Sequence, residues 1–158
     1  MRSAGPAKLL LAAVAAVAAV AAIAVAPGAD TRAVAEPRSR IPPFSVWVGS
    51  YTCPQGLTSL RLSIEAKRSG EAVATFEFGP HPDNPKLPRG EYRMTGAVRL
   101  LSRGQLHVKL VPERWITQPD GWSMTGLTAT SDLEQQTLEG RIDAPACGEL
   151  SVRREGAS

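Results

Sequence analysis

His81, Asp83 and Asn84 lie close together in the run GPHPDNPKLPRG, where an imidazole, a carboxylate and an amide could share a metal ion. The usual structural zinc spacings are absent, and a polar loop bracketed by Pro80, Pro82, Pro85 and Pro88 accounts for the same residues. No metal and no cofactor is therefore assigned. Nucleophiles are equally scarce. The chain carries 2 cysteines, Cys53 and Cys147, and offers no Gly-x-Ser-x-Gly elbow. The second histidine, His107, alternates with Leu106 and Val108 and falls on the wet side of a strand. No catalytic residue is assigned. Aromatic chemistry is better supplied: Trp115-Ile116-Thr117-Gln118-Pro119-Asp120-Gly121-Trp122 sets two tryptophans on either side of a turn. Indole rings beside a polar loop suit stacking on a sugar or a peptide, because they give contact area at small entropic cost. Trp115, Trp122, Asp120 and His81 form the candidate set for binding a ligand or partner. The competing reading is that both rings plug one end of a small barrel.

The elements that must position these residues alternate with a period of two. Leu60, Leu62 and Ile64 interleave with Arg61, Ser63 and Glu65; Ala72, Ala74, Phe76 and Phe78 interleave with Val73, Thr75 and Glu77. The same pattern recurs at Tyr92–Leu100, Leu106–Leu110, Leu138–Ile142 and Leu150–Val152. One apolar face and one wet face is the mark of antiparallel strands. Arg68-Ser69-Gly70, Ser102-Arg103-Gly104 and Pro119-Asp120-Gly121 supply the turns. The expected fold class is all-β: a single antiparallel up-and-down barrel of about eight strands, with a sandwich as the alternative. Trp47, Gly49, Tyr51 and Cys53 share one side of the first strand, with Trp47 and Tyr51 assigned to the core. Aromatic-x-Met-Thr-Gly occurs twice, at Tyr92–Gly96 and Trp122–Gly126, which predicts two strands with an inward methionine and a glycine at a bend.

Residues 1–35 have the order of a secretory signal peptide. Arg2 and Lys8 precede the apolar run Leu9–Ala26, and Ala33-Val34-Ala35 supplies small residues for cleavage. The competing reading is a retained membrane anchor. Residues 36–43, EPRSRIPP, are expected to form a flexible leader, 44–154 the barrel and 155–158 a tail. From position 36 onward there are 15 basic and 14 acidic residues, a balance that excludes nucleic acid as the expected partner. In an exported chain the paired cysteines predict a disulfide from Cys53 to Cys147. That bridge would clasp the end of the first strand to the start of the last. A closed loop of roughly 95 residues stabilises by about 4–5 kcal/mol in the chain-entropy account.

The pattern Trp47-x-Gly49-x-Tyr51-x-Cys53-x-Gln55-Gly56 continues through Phe76-x-Phe78, Gly90-x-Tyr92-x-Met94-x-Gly96, Trp115-Ile116-x-x-Pro119 and Cys147. Over residues 46–154 it resembles a small extracytoplasmic β-domain of bacterial secreted proteins, similar to domains appended to caspase-like peptidases. The resemblance implies an extracytoplasmic β-fold and brings no established activity. The early glycine and tryptophan also resemble lipocalins in outline, although in reversed order. The expectation is a secreted, non-catalytic binding module, with a protein, peptide or glycan as partner and no stable membrane insertion once the signal is cleaved. Two alternatives stand beside it: a periplasmic or extracellular protease inhibitor, and a cell-envelope-acting enzyme with its site near His81 and Asp83.

Overall fold

The structure, a computed structural model, describes residues 40–156. The predicted signal peptide, positions 36–39 of the leader and residues 157–158 lie outside the described residues.

Eight strands follow in chain order: β1 (Phe44–Cys53), β2 (Gly56–Ala66), β3 (Glu71–Gly79), β4 (Gly90–Leu100), β5 (Leu106–Thr117), β6 (Gly126–Ser131), β7 (Thr137–Asp143) and β8 (Glu149–Arg154). Each pairs antiparallel with the next, and Trp47–Tyr51 of β1 pair with Arg154–Leu150 of β8. That last pairing closes the sheet. A sandwich would leave open edges where these strands meet, so the up-and-down barrel is the fold. No helix among the described residues is long and apolar enough to cross a membrane.

Alternation fills the interior as expected from the apolar sets. Trp47, Leu62, Met94, Leu110, Leu127 and Leu138 have no exposed surface, and the polar partners of each strand face outward. Leu100 departs from its set, being 38% exposed, because it is the last residue of β4 and overhangs the rim. Closing so few strands requires the wall to bend sharply. At Gly49, Gly96 and Gly140 an added Cβ would overlap the carbonyl of the adjacent strand, at Ser151, Lys109 and Thr128 respectively. Glycine allows that close approach of two backbones.

The two ends of the barrel are built differently. At the base lie the short turns 67–70, 101–105 and 132–136. Gln135, fully buried at φ 55°, donates from Nε2 to the Gly104 carbonyl at 2.9 Å and the Arg40 carbonyl at 3.3 Å. Beside it the Leu106 amide donates to Ser131 Oγ at 2.8 Å. The base is thus stoppered by polar groups hydrogen-bonded across it. Residues 40–43 of the predicted leader are held here. Ile41 packs on the core and the Ala66 amide donates to the Pro43 carbonyl at 3.0 Å, so an apolar contact and a backbone hydrogen bond hold this segment to the rim. Trp47 also sits toward this end, with its Nε1 donating to Ser45 Oγ at 2.9 Å and the Arg154 guanidinium 5.9 Å from its ring centre.

The opposite end, the mouth, carries residues 54–55, 80–89, 118–125 and 144–148. The predicted repeat is half present. Tyr92–Gly96 lies in β4 with Met94 fully buried, whereas Trp122–Thr125 is irregular and only Gly126 begins a strand. The reason is local. The Tyr92 hydroxyl donates to the Thr125 carbonyl at 2.9 Å, giving that carbonyl a side-chain partner in place of a neighbouring strand.

Candidate functional site

The mouth is where the aromatic side chains gather. Of the 3 Phe, 3 Trp and 2 Tyr in the chain, six (Tyr51, Phe76, Phe78, Tyr92, Trp115 and Trp122) form one contact network there. Their positions follow from strand period. Phe76 and Phe78 are inward neighbours on β3, Tyr92 faces Phe76 across the β3–β4 ladder, and their rings stack with centroids 4.7 Å apart. Trp115 reaches the same cluster because β5 bulges twice against β4, between the partners of Glu91 and Tyr92 and again between those of Arg93 and Met94. Each bulge adds a residue and re-aims the side chains that follow. The ring stands edge-on to Tyr92 at 5.2 Å and to Phe78 at 6.3 Å.

Beyond Trp115 the chain folds over the mouth. The Trp122 amide donates to the Pro119 carbonyl at 3.3 Å, closing a turn in which Gly121 adopts φ 78°. Pro119 settles on Gly90, where an added Cβ would also collide with the Phe78 ring. Trp122 then lies flat on Phe78, centroids 4.7 Å apart and planes 21° apart. Residues 118–125 form a partial lid with its indole face down on the core.

Beside this lid remains a depression of about 480 Å³. Trp122 and Ser123 line it from the lid, Gln55 and the Cys53–Cys147 disulfide from the clasp, and Tyr51 and Tyr92 from the barrel interior. Gln55 Nε2 donates to Thr58 Oγ1 at 3.3 Å, and that hydroxyl donates to the Gly56 carbonyl at 3.1 Å, so the amide is anchored at the edge of the hollow. Burial pushes the Tyr92 hydroxyl up to about 12, against the pull of its Thr125 hydrogen bonds. Tyr51 is raised further, again chiefly by burial and then by Tyr92 beside it. Both phenols are neutral at physiological pH, and with the cysteines bridged no residue lining the hollow carries a formal charge.

Among the described residues, other hollows lie away from the mouth. One of about 490 Å³ lies beside Pro43, Ala66 and Gly96, and one of about 650 Å³ at the base involves Arg40, Ile41 and Arg68. Neither is lined by an aromatic ring, and the larger flanks the point where the chain enters the barrel. Size alone favours the base; the concentration of rings and amide and hydroxyl groups favours the mouth.

All four residues of the predicted binding set stand at the mouth end, but only Trp122 lines the hollow. Trp115 backs it as a partly buried member of the core cluster. Asp120 is exposed at the tip of the lid turn. His81 is in the 80–89 loop, where its Nδ1 accepts a hydrogen bond from the Asp83 amide at 3.1 Å. The Asp83 carboxylate is 3.6 Å from the same nitrogen, but a nitrogen that accepts from an amide bears no proton, so the hydrogen bond and not an ion pair describes this contact. The pair shapes a tight turn, bridged between His81 and Asn84, and Asn84 Nδ2 ties that turn to the Gln55 carbonyl at 2.8 Å. Among the described residues no three of His, Cys, Asp and Glu converge as metal ligands. Gln55, Ser123 and Thr125 belong to the hollow and were not singled out from sequence. Gln55 enters the sequence reading only as part of the Trp47–Gly56 pattern, beside the clasp and outside the candidate binding set.

Comparison with protein-family models and with curated proteins finds no match.

Proposed function

We propose that this barrel is an extracytoplasmic, non-catalytic binding module that takes its ligand at the mouth. The observation that carries this is the coincidence of the aromatic network, the uncharged hollow and the disulfide at one end of a barrel whose other end is stoppered. Preformed concave sites with an apolar floor and a few oriented polar groups are the usual form of ligand pockets. The lining offers amide and hydroxyl partners and no group suited to proton abstraction or nucleophilic attack at neutral pH. The disulfide supports an oxidising compartment. The test is mapping of amide shifts in the ¹⁵N-labelled protein against panels of oligosaccharides and short peptides. Saturable shifts at Gln55, Trp122 and Ser123, with the probe recovered unchanged, are expected. Shifts confined to the base, or chemical conversion of a probe, overturn the reading.

A further inference from the structure

We infer that the mouth selects an uncharged saccharide, one ring of which lies against Trp122. This rests on the mouth being the binding site and names the class of ligand it takes.

Three observations converge. The first is charge. Tyr51, Gln55, Phe78, Tyr92, Trp122 and Ser123 bring no formal charge to the hollow, and the bridged cysteines add none. A charged ligand entering it would lose hydration without gaining an opposite charge, whereas a neutral one would not. The second is the pairing of surface types. Trp122 is fixed in orientation by its stack on Phe78 and by the Pro119 turn, so its ring is ordered before any ligand arrives. Around it stand the Gln55 amide and the Ser123 and Thr125 hydroxyls. A pyranose presents the same combination from its own side: a patch of C–H groups on one face and hydroxyls around the edge. An apolar peptide side chain would match the indole face but make no use of the amide and hydroxyl groups that line the rest of the hollow.

The third observation bears on the alternative of an extended peptide. Beyond Leu110, β5 pairs with β4 but has no strand partner on its other side among the described residues. That stretch is the longest such edge among the described residues, and the natural place for a peptide to add as a strand. It is poorly suited to the task. Pro112 lacks the amide a ladder needs, two bulges distort the edge, and Glu113 is held by Arg93 at 3.1 Å. These are devices that discourage edge pairing.

The experiment uses the purified protein with three uncharged oligomers (of glucose, of mannose and of N-acetylglucosamine), an oligouronate of equal length and an uncharged apolar peptide. Amide shifts locate binding, and isothermal titration at low and high salt measures it. At least one uncharged oligomer is expected to move Gln55, Trp122 and Ser123 at millimolar concentration or below. Its affinity should stay unchanged with salt, since no ion pair forms. Trp122→Ala should weaken it by about tenfold or more, on the scale of an aromatic anchor, while Trp122→Phe, which keeps a stacked ring, should stay within a few-fold. Binding of the oligouronate alone with an affinity that falls with salt, or of the peptide alone, overturns the saccharide inference and leaves the mouth as the site. Silence of the mouth to all three uncharged oligomers also overturns it. Uncharged oligomers that move only residues at the base defeat both the inference and the site.

Discussion

Tyr51 and Tyr92 are the only tyrosines of the chain, and both are buried beneath the mouth. Burial disfavours their phenolates, so the native state keeps protons that an unfolded chain releases. Stability is therefore complete below the ordinary tyrosine value of 10.0 and falls as pH rises toward about 12, the value for Tyr92. Denaturation midpoints should be flat up to that threshold and decline above it. Phenolate absorbance should stay low in the intact barrel at pH 10 and rise only toward about 12, and phenolate formed in an intact barrel at pH 10 would contradict this account. The tryptophans make a second contrast. Trp47 is 0% exposed, and its removal to alanine should cost about 3–5 kcal/mol. Trp122 is only partly buried and rests on one ring, so its loss should cost about 1–2 kcal/mol. Thermal melts of Trp47→Ala and Trp122→Ala test the order; equal losses would make Trp122 a core plug. At this scale the sequence was informative about residue type and less so about neighbours. Trp115 and Trp122 flank a turn in both readings, but the stack of Trp122 on Phe78 joins positions far apart in the chain, and no local pattern encodes it.

The strands were legible because each has a buried face and a wet one, so period two survives in the sequence. The lid was not. After Leu110 the two bulges in β5 break the alternation, and Trp122–Thr125 looks like Tyr92–Thr95 while adopting no strand. The bends were also hidden, since a glycine in a strand does not reveal which backbone presses on it. The structure separates two kinds of glycine here. Gly96→Ala would drive a Cβ into the Lys109 carbonyl and should cost about 1–3 kcal/mol or more, as in overpacked sites. Gly121→Ala meets nothing within 4 Å but must hold φ 78°, and should cost about 1 kcal/mol from backbone strain alone. Chemical denaturation of both variants measures the difference, and the larger loss belongs to Gly96.

For the molecule as a whole, the seam that closes it is one of the shorter ones and the one that carries the disulfide. β1 and β8 share five register pairs, against ten between β1 and β2. The disulfide from Cys53 to Cys147 lies at the mouth end of that seam, where the Gly148 amide also donates to the Thr52 carbonyl at 2.7 Å. Cys53→Ser with Cys147→Ser should lower stability by about 2–5 kcal/mol. Hydrogen exchange should rise first in Trp47–Tyr51 and Leu150–Arg154; uniform loss of protection around the barrel would place the weak point elsewhere. The same seam brings the start of β1 beside the end of β8, and the Glu155 amide donates to the Val46 carbonyl at 2.8 Å. A short connection from residue 156 back to the start of β1 would make one more base hairpin and turn the barrel into a ring of eight equivalent joints. Such a ring can be cut anew at the exposed turn 67–70, leaving lid, clasp and hollow untouched. A circular permutant opened there should fold with the same disulfide, and the order of the strands along the chain then records only where the ring was cut.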